Sequence, residues 1–223
     1  MISNDILNGD YKVKKESLKQ KAYDDIKSKI INCQYMPNSF LNESILMEVI
    51  NTSRTPIREA LSKLEQENLV TIIPKKGIMV NDLSLNDISM IFQVRELIEP
   101  FIIRTNGSSL NKNELKVMRE LVMGDITKQN IKKIYQIDDR LHRFFISCSG
   151  NKYFHQTMDH IYNQNHRMRI LSGQKIDSRL KDTQEEHLNI LDFLLIGKYD
   201  EAADAMKKHL DNSKNAAIAS LLI

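Results

Sequence analysis

The chain has 223 residues, 41% of them hydrophobic and 27% charged, and a formal net charge of +3. That length holds one large or two modest globular domains, and so small an excess of charge cannot by itself argue for a nucleic-acid partner. Two cysteines, Cys33 and Cys148, lie in different expected domains without paired spacing, so a disulfide framework is not expected and a reducing, cytoplasmic setting is. Nothing at the N-terminus resembles a signal peptide and no apolar run approaches the ~20 residues a membrane span requires, so no membrane partner is expected.

Basic character is local instead, at Lys12, Lys14, Lys15, Lys19 and Lys21, and again at Arg54, Arg58, Lys63, Lys75 and Lys76. Residues 1–16 are polar and lysine-rich and read as a flexible N-terminal arm. A first domain is expected over 17–81. Ser17-Leu18-Lys19-Gln20 has the form of a capping box, opening a helix with Ala22, Ile26, Ile30 and Ile31 on its inner side, and Met36-Pro37-Asn38 breaks it. Residues 42–50 give a short helix carrying Ile45, Leu46, Val49 and Ile50, and Asn51-Thr52 make a polar turn. In Ser53-Arg54-Thr55-Pro56-Ile57-Arg58-Glu59-Ala60-Leu61, the Ser53 hydroxyl can cap a third helix and Pro56 falls in its first turn, where a missing N–H costs little. Ile57, Ala60, Leu61 and Leu64 form the buried stripe, which leaves Arg54, Thr55 and Arg58 projecting from the N-terminal half, the part that enters a major groove in helix-turn-helix proteins. Leu69 to Ile73, Pro74-Lys75-Lys76-Gly77 and Ile78 to Val80 read as strand, turn and strand, with Gly77 able to take a positive φ. Three helices and a basic hairpin make a winged helix-turn-helix.

These residues resemble the DNA-binding domain of GntR-type bacterial transcription regulators, through Pro37 to Leu41, the Ser53 to Leu61 run, Leu64 to Val70, and Lys76-Gly77-Ile78-Met79-Val80. The resemblance implies that Ser53, Arg54, Thr55 and Arg58 face DNA and that the wing tip, Lys76 and Gly77, reaches the adjacent groove or backbone. The chain departs from the pattern at Asn38 and Asn68, where glycine is usual, and at Ser44, where some members carry a DNA-contacting arginine. Asparagine tolerates left-handed backbone, so the first two turns remain feasible, while Ser44 weakens only the second-helix contact.

Past Asn81 to Ser84 the apolar period changes from two to about 3.6, which marks a domain boundary and an all-α bundle over 84–218, so the fold expected overall is mainly α. Ser84-Leu85-Asn86-Asp87 and Asn111-Lys112-Asn113-Glu114 read as caps of two helices, one carrying Ile88, Phe92, Leu97, Ile98 and Phe101, the next Leu115, Met118 and Leu121. Further amphipathic segments cover roughly 130–148, 152–172, 178–196 and 199–218, with Gly150 and Gly197 as stops.

Asp138 and His142 share one helix face at the (i, i+4) step, and His187 and His209 sit among apolar neighbours on the last two helices. One carboxylate oxygen and three imidazole nitrogens suit a divalent transition ion with open positions; zinc, nickel and manganese all fit. The layout is similar to the effector domain of the FadR subgroup of GntR regulators, which implies a metal ion held at Asp138, His142, His187 and His209 and a small organic acid completing its shell. Asp139 competes with Asp138 but lies off the His142 face. His155, His160 and His166 are given no ligand role. Arg95, between Phe92 and Ile98, is an awkward charge for an inner face. Either Glu99 pairs with it one turn on, or it anchors an effector carboxylate, as the resemblance implies, with Arg169 a weaker site of the same kind.

The function expected is a ligand-responsive regulator, usually a repressor, that binds a palindromic operator in double-stranded DNA as a homodimer, in which the effector shifts an existing equilibrium between dimer conformations. The alternatives are a metal-dependent enzyme using the site of three histidines and one aspartate, for which no catalytic motif is recognisable, and a metal with a purely structural role.

Overall fold

The structure, a computed structural model, describes residues 17–125, 131–172 and 179–221. The arm expected over 1–16, with Lys12, Lys14 and Lys15, lies outside the described residues, as do positions 130 and 178, the expected first residues of two helices. The fold is mainly α, with one small sheet. In chain order the elements are α1 Leu18–Ile31, β1 Phe40–Leu41, α2 Glu43–Ile50, α3 Arg54–Gln66, β2 Val70–Ile73, β3 Gly77–Val80, α4 Leu85–Asn106, a 3-10 turn at Gly107–Ser109, α5 Lys112–Val122, α6 Ile131–Ser147, α7 Lys152–Ser172, α8 Arg179–Leu195 and α9 Tyr199–Leu221. Two compact units result, one taking α1 as far as Ser28 with Ser39–Val80, the other Lys29–Asn38 and the chain from Asn81 onward.

The first unit is a winged helix-turn-helix. Ile57, Ala60, Leu61 and Leu64 of α3 are all buried, with Ala22, Ile26, Leu46 and Ile50 from α1 and α2. In α2 the apolar set splits: Leu46 and Ile50 are buried, whereas Ile45 and Val49 are 59% and 58% exposed. Ser17 Oγ accepts from Gln20 N at 3.2 Å, but the Gln20 amide bonds Asp24 instead of reaching back, so only half of the expected capping box forms. The helix also stops earlier than Met36-Pro37-Asn38. Cys33 turns left-handed at φ 51°, and the amides of Gln34 and Tyr35 close back on the Lys29 carbonyl. The sheet has the order β1-β3-β2 with both pairs antiparallel, so the expected hairpin gains a third, two-residue strand too short to show a period. Asn38 and Asn68 adopt φ 62° and 55°, the geometry that lets asparagine stand for glycine in these turns. At the hairpin tip Lys75 (φ 64°) shares the positive φ with Gly77 (φ 117°).

The second unit is an all-α bundle. The box at Ser84 and Asp87 forms in both directions, and Asn111 caps α5 by accepting from Asn113 N and Glu114 N. Its core joins Ile88 and Phe92 of α4 to Leu115 and Met118 of α5, Leu141 and Phe145 of α6, Ile190, Leu191 and Leu194 of α8, and Ala202, Ala203 and Met206 of α9. Two of the apolar residues of α4 are on the surface, Leu97 at 74% and Phe101 at 50% exposed. The inner face of α4 runs through Ile91, Arg95, Glu99, Ile102 and Ile103 and so carries a charged pair among apolar neighbours, with Arg95 on the inner face as expected. Gly197 ends α8 at φ 77°, and no described helix is long and apolar enough to cross a membrane.

Candidate functional site

The first turn of α3 begins at Arg54, with Ser53 in the N-cap position but making no side-chain capping bond, contrary to the role expected for its hydroxyl. Ser53, Arg54, Thr55 and Arg58 are all exposed. The two guanidiniums lie one turn apart on the solvent side of α3, with side chains 61% and 63% exposed. Both face the Glu43 carboxylate at the start of α2, Arg58 Nε at 3.0 Å and Arg54 Nε at 3.7 Å. Exposed pairs of this kind are weak, so Glu43 positions the guanidiniums without sequestering them. On the hairpin, Lys75 and Lys76 are exposed and Gly77 is half-buried. A Cβ at Gly77 would sit 3.4 Å from the Leu41 carbonyl oxygen, on a backbone that L-residues rarely adopt, so the tip depends on glycine.

In the bundle, α6, α8 and α9 each send one imidazole into the interior. His142, His187 and His209 are 1%, 3% and 2% exposed, and one ring nitrogen from each lies within 4.8 Å of the other two. The Nε2 atoms of His187 and His209 are 3.2 Å apart. Asp138 joins them from one turn before His142, its carboxylate 3.6 Å from His187 Nε2 and 3.9 Å from His142 Nε2. The four residues singled out from the sequence are therefore brought together. Asp139 points away, where His166 Nδ1 at 2.6 Å and Arg169 Nη2 at 2.8 Å hold it. His155 is likewise engaged elsewhere, by the Ser149 carbonyl at 2.6 Å.

The far sides of the rings fix their protons. His142 Nδ1 lies 2.6 Å from Glu99 Oε2, and His209 Nδ1 lies 2.8 Å from Glu186 Oε2. An ionised carboxylate only accepts, so each Nδ1 carries a hydrogen and Nε2 is the ring nitrogen left to face the cluster. Burial is the largest influence on the Glu99 carboxyl and would raise it, but Arg95 and His142 together outweigh it and hold it at about 2. Burial likewise opposes ionisation of Glu186, where hydrogen bonds from His209, Arg179 and Asn212 prevail and bring it to about 2. His187 is pushed well below the usual histidine range by burial and by His209, and His209 is lowered by burial against the pull of Glu186, so both rings are neutral near pH 7. For Asp138 burial is again the largest influence and is overcome, chiefly by the Arg169 guanidinium, which pairs with it directly.

His142 Nε2 is the informative atom, because it is buried and has no hydrogen-bond partner among the described residues. Such an atom calls for an explanation, and an ion at the meeting point of three imidazoles supplies one. The donor set fits a divalent transition metal, and the carboxylate behind each of two rings is the kind of partner that ligating histidines usually have.

Arg95 has the Glu99 partner anticipated for it, Nε to Oε1 at 2.7 Å, and its Nη1 donates to Asn165 Oδ1 at 3.0 Å. Its Nη2 lies 3.2 Å from His142 Nδ1, a close approach of two donors and not a bond once that ring nitrogen carries its hydrogen. Arg95, Arg169 and His142 share the wall of a cavity of about 80 Å³ with Asn165 and Arg179. The two arginines proposed for an effector thus stand beside the imidazole cluster, each already tied to a carboxylate. Sequence reasoning did not foresee that Glu99 and Glu186 orient the imidazoles, nor the places of Asn165 and Arg179. Glu99 is visible only as the (i, i+4) partner of Arg95, and the other three meet the site through tertiary packing.

Comparison with known proteins matches residues 18–80 to the bacterial regulatory proteins of the gntR family and residues 90–212 to the FCD domain. The HTH-type transcriptional repressor RspR of Escherichia coli K12 is 23% identical over 198 residues, 87% of this chain and 86% of that protein. A GntR transcriptional regulator from Rhodococcus sp. RHA1 has the same fold, with a TM-score of 0.80 at 16% identity over 92% of this chain and 99% of that one. The FCD domain of TM0439, solved metal-free, superposes at a TM-score of 0.56 with 22% identity, covering 64% of this chain and 99% of its own. The relatives bear the names of transcription regulators, which argues against the enzyme alternative. With a gntR helix-turn-helix preceding an FCD domain that takes up more than half of its length, the chain belongs to the GntR family of DNA-binding transcription regulators.

Proposed function

We propose that this regulator is a metal-containing repressor that binds a palindromic operator as a homodimer and responds to a small organic acid. Ser53, Arg54, Thr55 and Arg58 would enter the major groove, with Lys76 and Gly77 at the adjacent groove or backbone. Asp138, His142, His187 and His209 would hold a divalent transition ion, which when bound supplies a Lewis-acidic centre with positions open to a carboxylate oxygen. Glu99 and Glu186 keep the His142 and His209 rings in the tautomer that offers Nε2. Arg95 and Arg169, on the cavity wall beside the cluster, attract an anion to it. The observation that carries this reading is the convergence of three buried imidazoles, with His142 Nε2 left without a hydrogen bond among the described residues. Repression relieved by the acid requires only that the acid prefer one dimer conformation.

Elemental analysis of the purified protein, run beside a gel shift on the DNA flanking its own gene, tests both halves. About one equivalent of transition metal per chain and a retarded band that an organic acid releases are the expected results. Chelation is expected to lower the melting temperature, since an ion at a hundred times its dissociation constant adds about 2.7 kcal/mol of stability. A response to acid that survives chelation unchanged would reduce the metal to a structural role, and absence of both metal and band would overturn the proposal.

A further inference from the structure

A second cavity, of about 240 Å³, opens on the other side of Asp138, between α5, α6 and α8. Its inner end is formed by Asp138 and His187, so it abuts the imidazole cluster. Its walls are mainly aliphatic, with Leu121, Val122, Ile134, Ile137 and Leu180 beside the Thr183 side chain. Gln184, also in the wall, has its amide nitrogen committed to the carbonyls of Val122 at 2.5 Å and Gly124 at 2.9 Å, which straps the end of α5 to α8 and closes that side. The charged lining residues, Glu120, Asp125 and Lys133, are exposed and mark the mouth.

From this we infer that the effector is a monocarboxylic acid with an apolar body of about six to eight carbons, its acid group at the ion site beyond Asp138 and its body in the α5/α6/α8 cavity. This rests on the metal-and-acid reading above and narrows the acid to a class. An apolar cavity of roughly 150 Å³ suffices for benzene, so the space here takes a substituted ring or a short alkyl chain. A hydroxyl left unpaired against such walls loses about tenfold or more in affinity, which disfavours sugar acids, whose several hydroxyls exceed what Thr183 can pair. Among the described residues of the mouth, Glu120 and Asp125 against Lys133 disfavour a second acid group at the far end.

Isothermal titration of the full chain reconstituted with zinc, using acetate, butanoate, hexanoate, octanoate, benzoate and citrate, tests the inference. Affinity is expected to rise about fourfold per added methylene up to hexanoate or octanoate, with benzoate in the same range and citrate weak. The rise should be accompanied by an increasingly negative heat-capacity change. Leu121→Trp, which fills the cavity from α5, is expected to abolish the dependence on chain length and leave acetate binding within about twofold. Should that variant not fold, Leu121→Ala is expected to move the best length upward by one or two carbons. Equal affinity for all the monocarboxylates, or citrate as the tightest ligand, overturns the assignment of the body while leaving an acid site at the metal. Failure of every acid, acetate included, to bind the zinc-loaded protein overturns the underlying reading as well.

Discussion

Replacing Glu99 by glutamine removes one charge from the interior while keeping the side chain's shape, and the geometry around it gives the size of the effect. Glu99 is fully buried, accepts from Arg95 Nε at 2.7 Å and faces His142 Nδ1 at 2.6 Å. The environment lowers its carboxyl from 4.5 to about 2. At 1.36 kcal/mol per pH unit, that drop corresponds to about 3 kcal/mol favouring the ionised form in the folded chain. Breaking a buried ion pair by removing one partner costs about 3 to 5 kcal/mol, and since an amide oxygen can still accept one of the two bonds, Glu99→Gln belongs at the lower end, about 3 kcal/mol. The sign with pH follows from the depressed value: the contribution is complete above the unfolded value of 4.5 and is lost as pH falls from there toward 2. Urea unfolding followed by far-UV circular dichroism, in EDTA to separate folding from metal binding, should show a loss of about 3 kcal/mol near neutral pH and a narrowing gap below about 4.5. Zinc affinity measured separately should fall by about 10- to 100-fold, because the amide oxygen holds the His142 ring less firmly than a carboxylate does. A loss under about 1 kcal/mol, the same at pH 7 as at pH 4, would refute the view of Glu99 as the anion that stabilises both Arg95 and the His142 tautomer.

Other perturbations probe the rest of the chain. Arg54→Ala or Arg58→Ala should weaken operator binding by about 1 to 3 kcal/mol if that guanidinium reads a base edge, and gel-shift titrations unchanged in both variants would remove α3 from the DNA interface. Asn68, at φ 55°, predicts a loss of about 1 kcal/mol for Asn68→Ala and little change for Asn68→Gly, since only glycine avoids the cost of left-handed backbone; thermal melts of the two proteins decide it. Burial pushes the Cys148 thiol up to about 11, and its sulfur lies 3.0 Å from the Phe145 carbonyl oxygen. Its labelling by a disulfide reagent at about pH 8 should be about a hundredfold slower than that of a thiol at the ordinary value and should rise about tenfold per pH unit until near 11; rapid labelling of the folded chain would contradict this.

The parts of the fold legible in the sequence are those set by local rules. The α3 stripe is buried as its 3.6-residue period requires, and Asn38 and Asn68 take the left-handed geometry their turns demand. Ser84 and Asp87 close their capping box because both halves of it are four residues of chain. At Ser17 the same pattern yields half a box, because Asp24, one turn past Gln20, competes for its amide. β1 was invisible because it is two residues of Phe40-Leu41 that become a strand only by pairing with β3. In the imidazole cluster, the (i, i+4) step from Asp138 to His142 was readable, whereas the carboxylates behind the rings reach them across 43 residues for Glu99 and 23 for Glu186, separations that periodicity cannot register.

The exposure of Leu97 and Phe101 has the same origin as the burial of Arg95 and Glu99. Ile88, Phe92, Arg95 and Glu99 recur at three- and four-residue steps and so share one face of α4, and burying the apolar pair carries the ion pair inward with it. Leu97 and Phe101 lie on the opposite face and are exposed, while the ion pair is in the core. Burying two charges is favourable only where each is answered: Glu99 by Arg95 and the His142 N–H, Arg95 by Glu99 and the Asn165 carbonyl oxygen. What the bundle obtains from that arrangement is a fixed imidazole, with Nδ1 protonated and Nε2 open to the centre. The buried charge on this otherwise apolar face is thus the group that orders the His142 ring, and departure from the pattern is itself the signal of the site.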